Sequence, residues 1–179
     1  MTRGRIVILA TALLFVAACA ENSPTGPSAA ALADGPDAAT ARTANSVPFG
    51  GRCDTEITIL PPLQGDPLNL LRLHIEYVCQ LQHLGRTTGF SEQIVTFTSP
   101  TTAIASNTTT YTAANGDQLF ASWTGTSVSD GPLVTFSGPE VSAGGTGRFA
   151  GASGRSWISG SASFVTNTGQ FTSEGTLTY

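Results

Sequence analysis

Side chains equipped for chemistry are few in this chain. It has two histidines, His74 and His83, and three cysteines, Cys19, Cys53 and Cys79. His74, Cys79 and His83 are near enough in sequence to suggest a metal site, but strand alternation puts His74 on the face opposite the other two. A structural zinc site takes four ligands from cysteine, histidine or carboxylate, and there is no CxxC or HxxxH pair to begin one. His74 is expected in solvent and His83 hydrogen-bonded at a bend, with no metal bound.

The carboxylates Asp54, Glu56, Glu76, Glu92, Asp117, Glu140 and Glu174 are dispersed, without the paired placement that acid–base catalysis uses. Asp54 and Glu56 are expected to decorate the wet face of one strand. For a nucleophile elbow the nearest match to GxSxG is Gly151-Ala-Ser-Gly154, one residue too short. The run from Ala143 to Gly154, AGGTGRFAGASG, could suggest a phosphate loop, but it lacks the following Lys-Ser/Thr and the following helix. No catalytic residue and no cofactor is expected.

Two features remain. Cys53 and Cys79 are the cysteines of the expected mature domain, and an oxidising compartment predicts a disulfide between them. Closing that loop would stabilise the fold by about 3 to 4 kcal/mol in the chain-entropy account. The aromatic residues are the other feature, because a small barrel either fills its interior with side chains or holds one apolar ligand. Tyr77, Phe97, Trp123, Phe171 and Tyr179 could do either; filling is the default reading, and the alternative is a ligand cavity opening near His83, Trp123 and Trp157.

The elements that must position these residues follow from composition and patterning. In a chain of 179 residues there is room for one ordinary domain plus extras. Charged residues are only 11% of it and glycines number 20, the profile of short strands joined by tight turns. Lysine is absent, and the eight arginines stand singly, so the clustered positive charge that phosphate backbones require is missing. Nucleic acid is excluded as a partner.

Arg3 and Arg5, the apolar run Ile6 to Val16 and the small pair Ala17-Ala18 are the three parts of a secretory signal peptide over residues 1–18. The apolar run is too short to span a bilayer. Val16-Ala-Ala-Cys19 resembles the lipobox of bacterial lipoproteins, which implies a lipid on the Cys19 sulfur and a lasting membrane anchor. Ala20 is not an aspartate, so in a bacterium with two membranes the resemblance implies the outer one. Residues 19–46 are rich in proline, glycine, alanine and small polar side chains and predict a flexible tether, with a short helix at 29–33 capped by Ser28 as one local option.

The domain is expected over residues 47–179. From Leu71 to His83, odd positions Leu71, Leu73, Ile75, Tyr77, Cys79 and Leu81 alternate with mostly polar even ones, a strand with one buried face. Gly85 and Gly89 interrupt the pattern before it resumes at Gln93–Thr98. Asn115-Gly116 predicts a type I′ hairpin between Thr109–Ala113 and Gln118–Thr126. Leu133–Ser137, Ser156–Val165 and Gln170–Tyr179 read as further strands, with Asn167–Gly169 turning the last hairpin. With Glu56–Leu60 as the first, seven or eight antiparallel strands form a barrel or a sandwich.

The glycine run with Gly144, Gly145, Gly147, Arg148, Phe149, Gly151 and Gly154, followed by a strand and a closing Gly175-Thr-Leu-Thr-Tyr179, resembles the signature of the allene oxide cyclase and dirigent-like barrels. Bacterial secreted members carry segments similar to His83-Leu-Gly-Arg86 and Ala114-Asn-Gly-Asp117. The resemblance spans roughly residues 70 to 179 and implies one all-β domain, a single antiparallel eight-stranded barrel. In it Phe149 would plug one end and Arg148 reach an acid or a carbonyl. It brings no catalytic residue to this chain.

These readings converge on a membrane-anchored, non-catalytic envelope lipoprotein whose barrel binds a small apolar ligand or a protein partner. The alternative is an isomerase or cyclase acting on a lipid-like substrate inside the barrel.

Overall fold

A computed structural model describes residues 45–179 of the chain. The expected signal segment, Cys19, almost all of the tether and the optional helix at 29–33 therefore lie outside the described residues. Eight strands follow one another: β1 (Ser46–Leu60), β2 (Leu70–Leu81), β3 (Gly85–Phe97), β4 (Thr102–Thr112), β5 (Gln118–Asp130), β6 (Leu133–Gly145), β7 (Ser153–Ser163) and β8 (Thr168–Thr178). Each pairs antiparallel with the next and β8 returns to β1, so the sheet closes into the expected eight-stranded barrel. Closure gives every strand a partner on both sides over most of its length.

Period-two patterning explains the inside and the outside. On β2, Leu73, Ile75, Tyr77, Cys79 and Leu81 point inward and are buried, while Glu76, Val78 and Gln80 between them are exposed. On β7 the same alternation buries Ser156 and Ile158 and turns Trp157 out. Asp54 and Glu56 are on the outer face of β1.

Several strands run longer than their sequence patterns suggest. β1 begins at Ser46, ten residues before the expected Glu56, and incorporates Pro48 and two glycines. Residues 46–50 pair with β8 alone, and pairing with β2 starts at Gly51, so the missing Pro48 amide faces a side with no ladder to interrupt. β3 runs unbroken through Gly89 instead of resuming at Gln93. β6 continues through Gly138-Pro139 to Gly145 instead of stopping at Ser137.

The turn at Asn115-Gly116 also differs from expectation. Type I′ geometry needs positive φ at both central residues, and only Gly116 has it, at +88°. The Gly116 amide donates to Ala113 O and the Ala113 amide to Asp117 O, a type I turn closed by a glycine in the left-handed region.

The two barrel ends are built differently. At one end β6 gains an extra residue against β5, and a single 3-10 turn at Gly147–Phe149 carries the chain across. Phe149 is fully buried there, and its ring stacks edge-on against Tyr179 at 5.2 Å. Arg148 donates to His83 O at 2.5 Å and is 3.9 Å from the Asp117 carboxylate. Gly147 sits at φ +55°, and a Cβ there would lie 1.9 Å from Asp117 Oδ1, so only glycine fits. At the other end the connections 61–69, 98–101, 131–132 and 164–167 contribute no helical turn among the described residues, and Asp66 pairs with Arg72 at 2.8 Å. That guanidinium, joined by the Leu63 amide, holds the Asp66 carboxyl down to about 2.

Between the ends lies the core. Cys53 and Cys79 face each other across β1 and β2 and form the expected disulfide, both sulfurs pointing inward.

Candidate functional site

Toward the unplugged end the interior is not completely filled. A cavity of about 90 Å³ remains, walled mainly by apolar side chains of β1 to β8, among them Ile57, Leu73, Val95, Phe136, Ile158 and Phe171. The strands deliver these residues because each contributes every second position to the interior. Leu71, Phe97, Val134 and Phe164 stand nearest the mouth.

Tyr77, Tyr111 and Glu140 are the deepest lining residues on β2, β4 and β6 and form the floor. Glu140 is only 1% exposed. The Tyr111 hydroxyl donates to its Oε1 at 2.9 Å and the Ser156 hydroxyl to its Oε2 at 2.9 Å. Tyr77 hydrogen-bonds to Ser91, its ring centroid 6.1 Å from that of Tyr111 and 5.6 Å from that of Phe171. Trp123, paired in register with Glu140, donates its indole N–H to Gly138 O at 3.1 Å and stacks edge-on with Phe136 at 6.0 Å.

Burial sets the protonation of this floor. Desolvation pushes the Glu140 carboxyl above its ordinary value, and the Tyr111 and Ser156 hydroxyls pull it part of the way back. The Tyr77 phenol is pushed up to about 12, mainly by burial, with Ser91 and Thr109 opposing and the Glu140 charge adding. Tyr111 is raised well above the usual phenol range by burial first and by the Glu140 charge next. Among the described residues no arginine or histidine lines the cavity, so the carboxyl has hydroxyl partners there and no cationic one.

Of the aromatic residues expected around a cavity, Tyr77, Phe97, Trp123 and Phe171 line it. His83, Trp157 and Tyr179 do not, and the expected opening near His83 and Trp157 is corrected. His83 takes φ +65° in the β2–β3 turn at the plugged end and faces Tyr179 across 6.1 Å. Trp157 is 55% exposed on the outer surface because its phase on β7 is opposite to that of Ile158. The cavity lies toward the other end, lined there by Leu71, Phe97, Ser129, Val134 and Phe164, while Phe149 fills the end where His83 lies.

The glycine-rich residues Gly144, Gly145, Gly147, Arg148, Phe149, Gly151 and Gly154 end β6, form the plug and start β7, remote from the cavity. The three metal candidates are not brought together. His74 is directed outward against Glu92 and Phe90, Cys79 is in the disulfide and His83 is in a turn. In sequence Glu140 is only one of the dispersed carboxylates, and Tyr111, Ser156, Ser91 and Thr109 carry no mark of a site. The signal available was phase: Glu140 is four and six residues from Phe136 and Val134, on the same face of β6.

The fold and site together define a small antiparallel barrel with a partly empty, apolar interior floored by a buried glutamate. Comparison with protein-family models, curated proteins and solved structures found no match for this chain.

Proposed function

We propose that the chain is an exported, lipid-anchored binding protein whose barrel takes a small, mainly apolar molecule through its unplugged end and performs no chemistry on it. The observation that carries this reading is the cavity: about 90 Å³ of apolar-walled space ending on hydrogen-bonding groups. A preformed apolar chamber with a few convergent polar groups is the usual form of a small-ligand site. The anchor rests on Arg3, Arg5, the apolar run and the lipobox-like Val16-Ala-Ala-Cys19.

Size favours binding over the isomerase or cyclase alternative. An engineered cavity of about 150 Å³ takes benzene, and enclosed sites for larger ligands run to about 300 Å³ or more. The volume here suits a molecule of a few heavy atoms rather than an acyl chain. Among the lining residues Glu140 has no second carboxylate or histidine to share a proton-transfer cycle.

Two measurements test the reading. Native mass spectrometry of the exported chain should show an added mass that disappears on denaturation, and a bare native mass, with no probe binding on titration, would refute ligand binding. Growth with radiolabelled palmitate should label the wild type and not Cys19→Ala. An unlabelled wild type would refute the anchor.

A further inference from the structure

We propose that the ligand is a small organic cation, an ammonium group on a compact apolar body, with Glu140 as its counter-ion. The inference rests on the binding reading above and adds the charge of the ligand to it.

The first support is electrostatic. Glu140 is the only acidic side chain among the lining residues and no cationic side chain accompanies it. A buried carboxylate without a cationic partner is unfavourable, and a bound cation supplies that partner. The second is hydrogen bonding. Tyr111 and Ser156 each donate to a different Glu140 oxygen, and a carboxylate has about four acceptor sites, so each oxygen retains one for an ammonium donor. Two hydroxyl donors are the environment of an ionised acceptor.

The third support is the wall. Tyr77, Tyr111, Trp123, Phe136 and Phe171 all line the chamber. Aromatic faces attract cations through the ring quadrupole, tryptophan most strongly, and the attraction grows in a desolvated site. Glu140 aside, the described residues carry five arginines against eight acids, a net charge of 5 − 8 = −3, which favours the approach of cations over anions. The titratable groups facing the chamber are Glu140, Tyr77 and Tyr111, and both phenols keep their protons through neutral pH.

Binding below the Glu140 titration would expel its proton to solvent, leaving the carboxylate paired with the ammonium. Amine affinity should therefore rise with pH until Glu140 is ionised in the free protein. A neutral ligand has no such dependence.

The test is an NMR titration of the exported chain with three probes of similar size, isopropylammonium, 2-propanol and acetate, following the Trp123 indole N–H. Isopropylammonium is expected to bind about ten- to a hundredfold more tightly than 2-propanol, the range of a charge-assisted hydrogen bond. Acetate should not bind, and Glu140→Gln should abolish the preference. In the wild type, amine affinity should rise as pH is raised above the ordinary glutamate value of 4.5 and level off once Glu140 is ionised, a readout that needs no variant to fold. If 2-propanol binds as well as the amine, or the amine affinity is flat with pH, the cation assignment is overturned while ligand binding stands. If no probe binds, both readings fall.

Discussion

Opening the Cys53–Cys79 bond should cost the protein a large and calculable part of its stability. The two cysteines are 26 residues apart in sequence. The chain-entropy relation then gives a constraint on the unfolded state of about 3.5 kcal/mol, or about 300-fold in the folding equilibrium. Both sulfurs point into the core, Cys53 with no exposed surface, so a reduced pair has no solvent-facing position to relax into. The assay is urea denaturation of the oxidised protein and of Cys53→Ser/Cys79→Ser, read by Trp123 fluorescence. The midpoint should fall, and the m value should rise because the uncrosslinked unfolded chain exposes more surface. A loss under about 1 kcal/mol with an unchanged m value would refute the reasoning. It would mean that the β1–β2 hairpin persists in the unfolded chain and already supplies the constraint.

Five further outcomes are expected. The folded-state Glu140 carboxyl is raised above its unfolded value, so its contribution is fully present below about pH 4.5 and is lost as pH rises through the folded value; thermal unfolding against pH should show this fall in the wild type and not in Glu140→Gln. Asp66 acts in the opposite sense, being stabilising above 3.8 and losing that contribution as pH falls toward 2, so the two windows do not overlap. Phe149→Ala, which removes the plug, should destabilise by about 3 to 5 kcal/mol in chemical denaturation. Gly125→Ala would set a Cβ 2.2 Å from the Trp123 ring and 2.4 Å from Ser137 O, and calorimetry should find it destabilised by about 1 to 3 kcal/mol. Ser173 has a buried hydroxyl without a hydrogen-bond partner, and Ser173→Ala should raise stability by about 1 kcal/mol, measured by the urea midpoint.

The parts of this fold legible in the sequence are those where apolar and polar residues alternate without glycine. β2 is such a segment, and its phase correctly puts Tyr77 and Cys79 inside and His74 outside. Glycine and proline concealed the rest. In the first half of β1, at Gly89 and at Gly138 they imitate turn signals, yet here they allow strands to pass close to neighbouring backbone. A Cβ on Gly89 would lie 2.6 Å from Thr110 O, and one on Gly138 would lie 2.4 Å from Thr124 O. Glu140 was hidden for a related reason. Carboxylates were compared by their nearness along the chain, whereas the site is assembled across β2, β4, β6 and β7, where Tyr111 is 29 residues from Glu140. Extending the β6 phase through Pro139 was the missing step.

The ring closure between β1 and β8 has a consequence for how the protein comes to be folded. Ser46 pairs with Thr178, a separation of 178 − 46 = 132 residues, and the ladder extends through Glu56 with Thr168. Every other pairing joins neighbours along the chain. Hairpins can therefore form early and locally, while the last seam waits for a slow, long-range encounter between the first strand and the last. Until it is made, the half-built sheet has two bare rims, β1 and β7 or β8, each able to recruit a strand from another molecule. Vulnerability to aggregation is thus confined to one kinetic interval, and it ends when the final strand is zipped in.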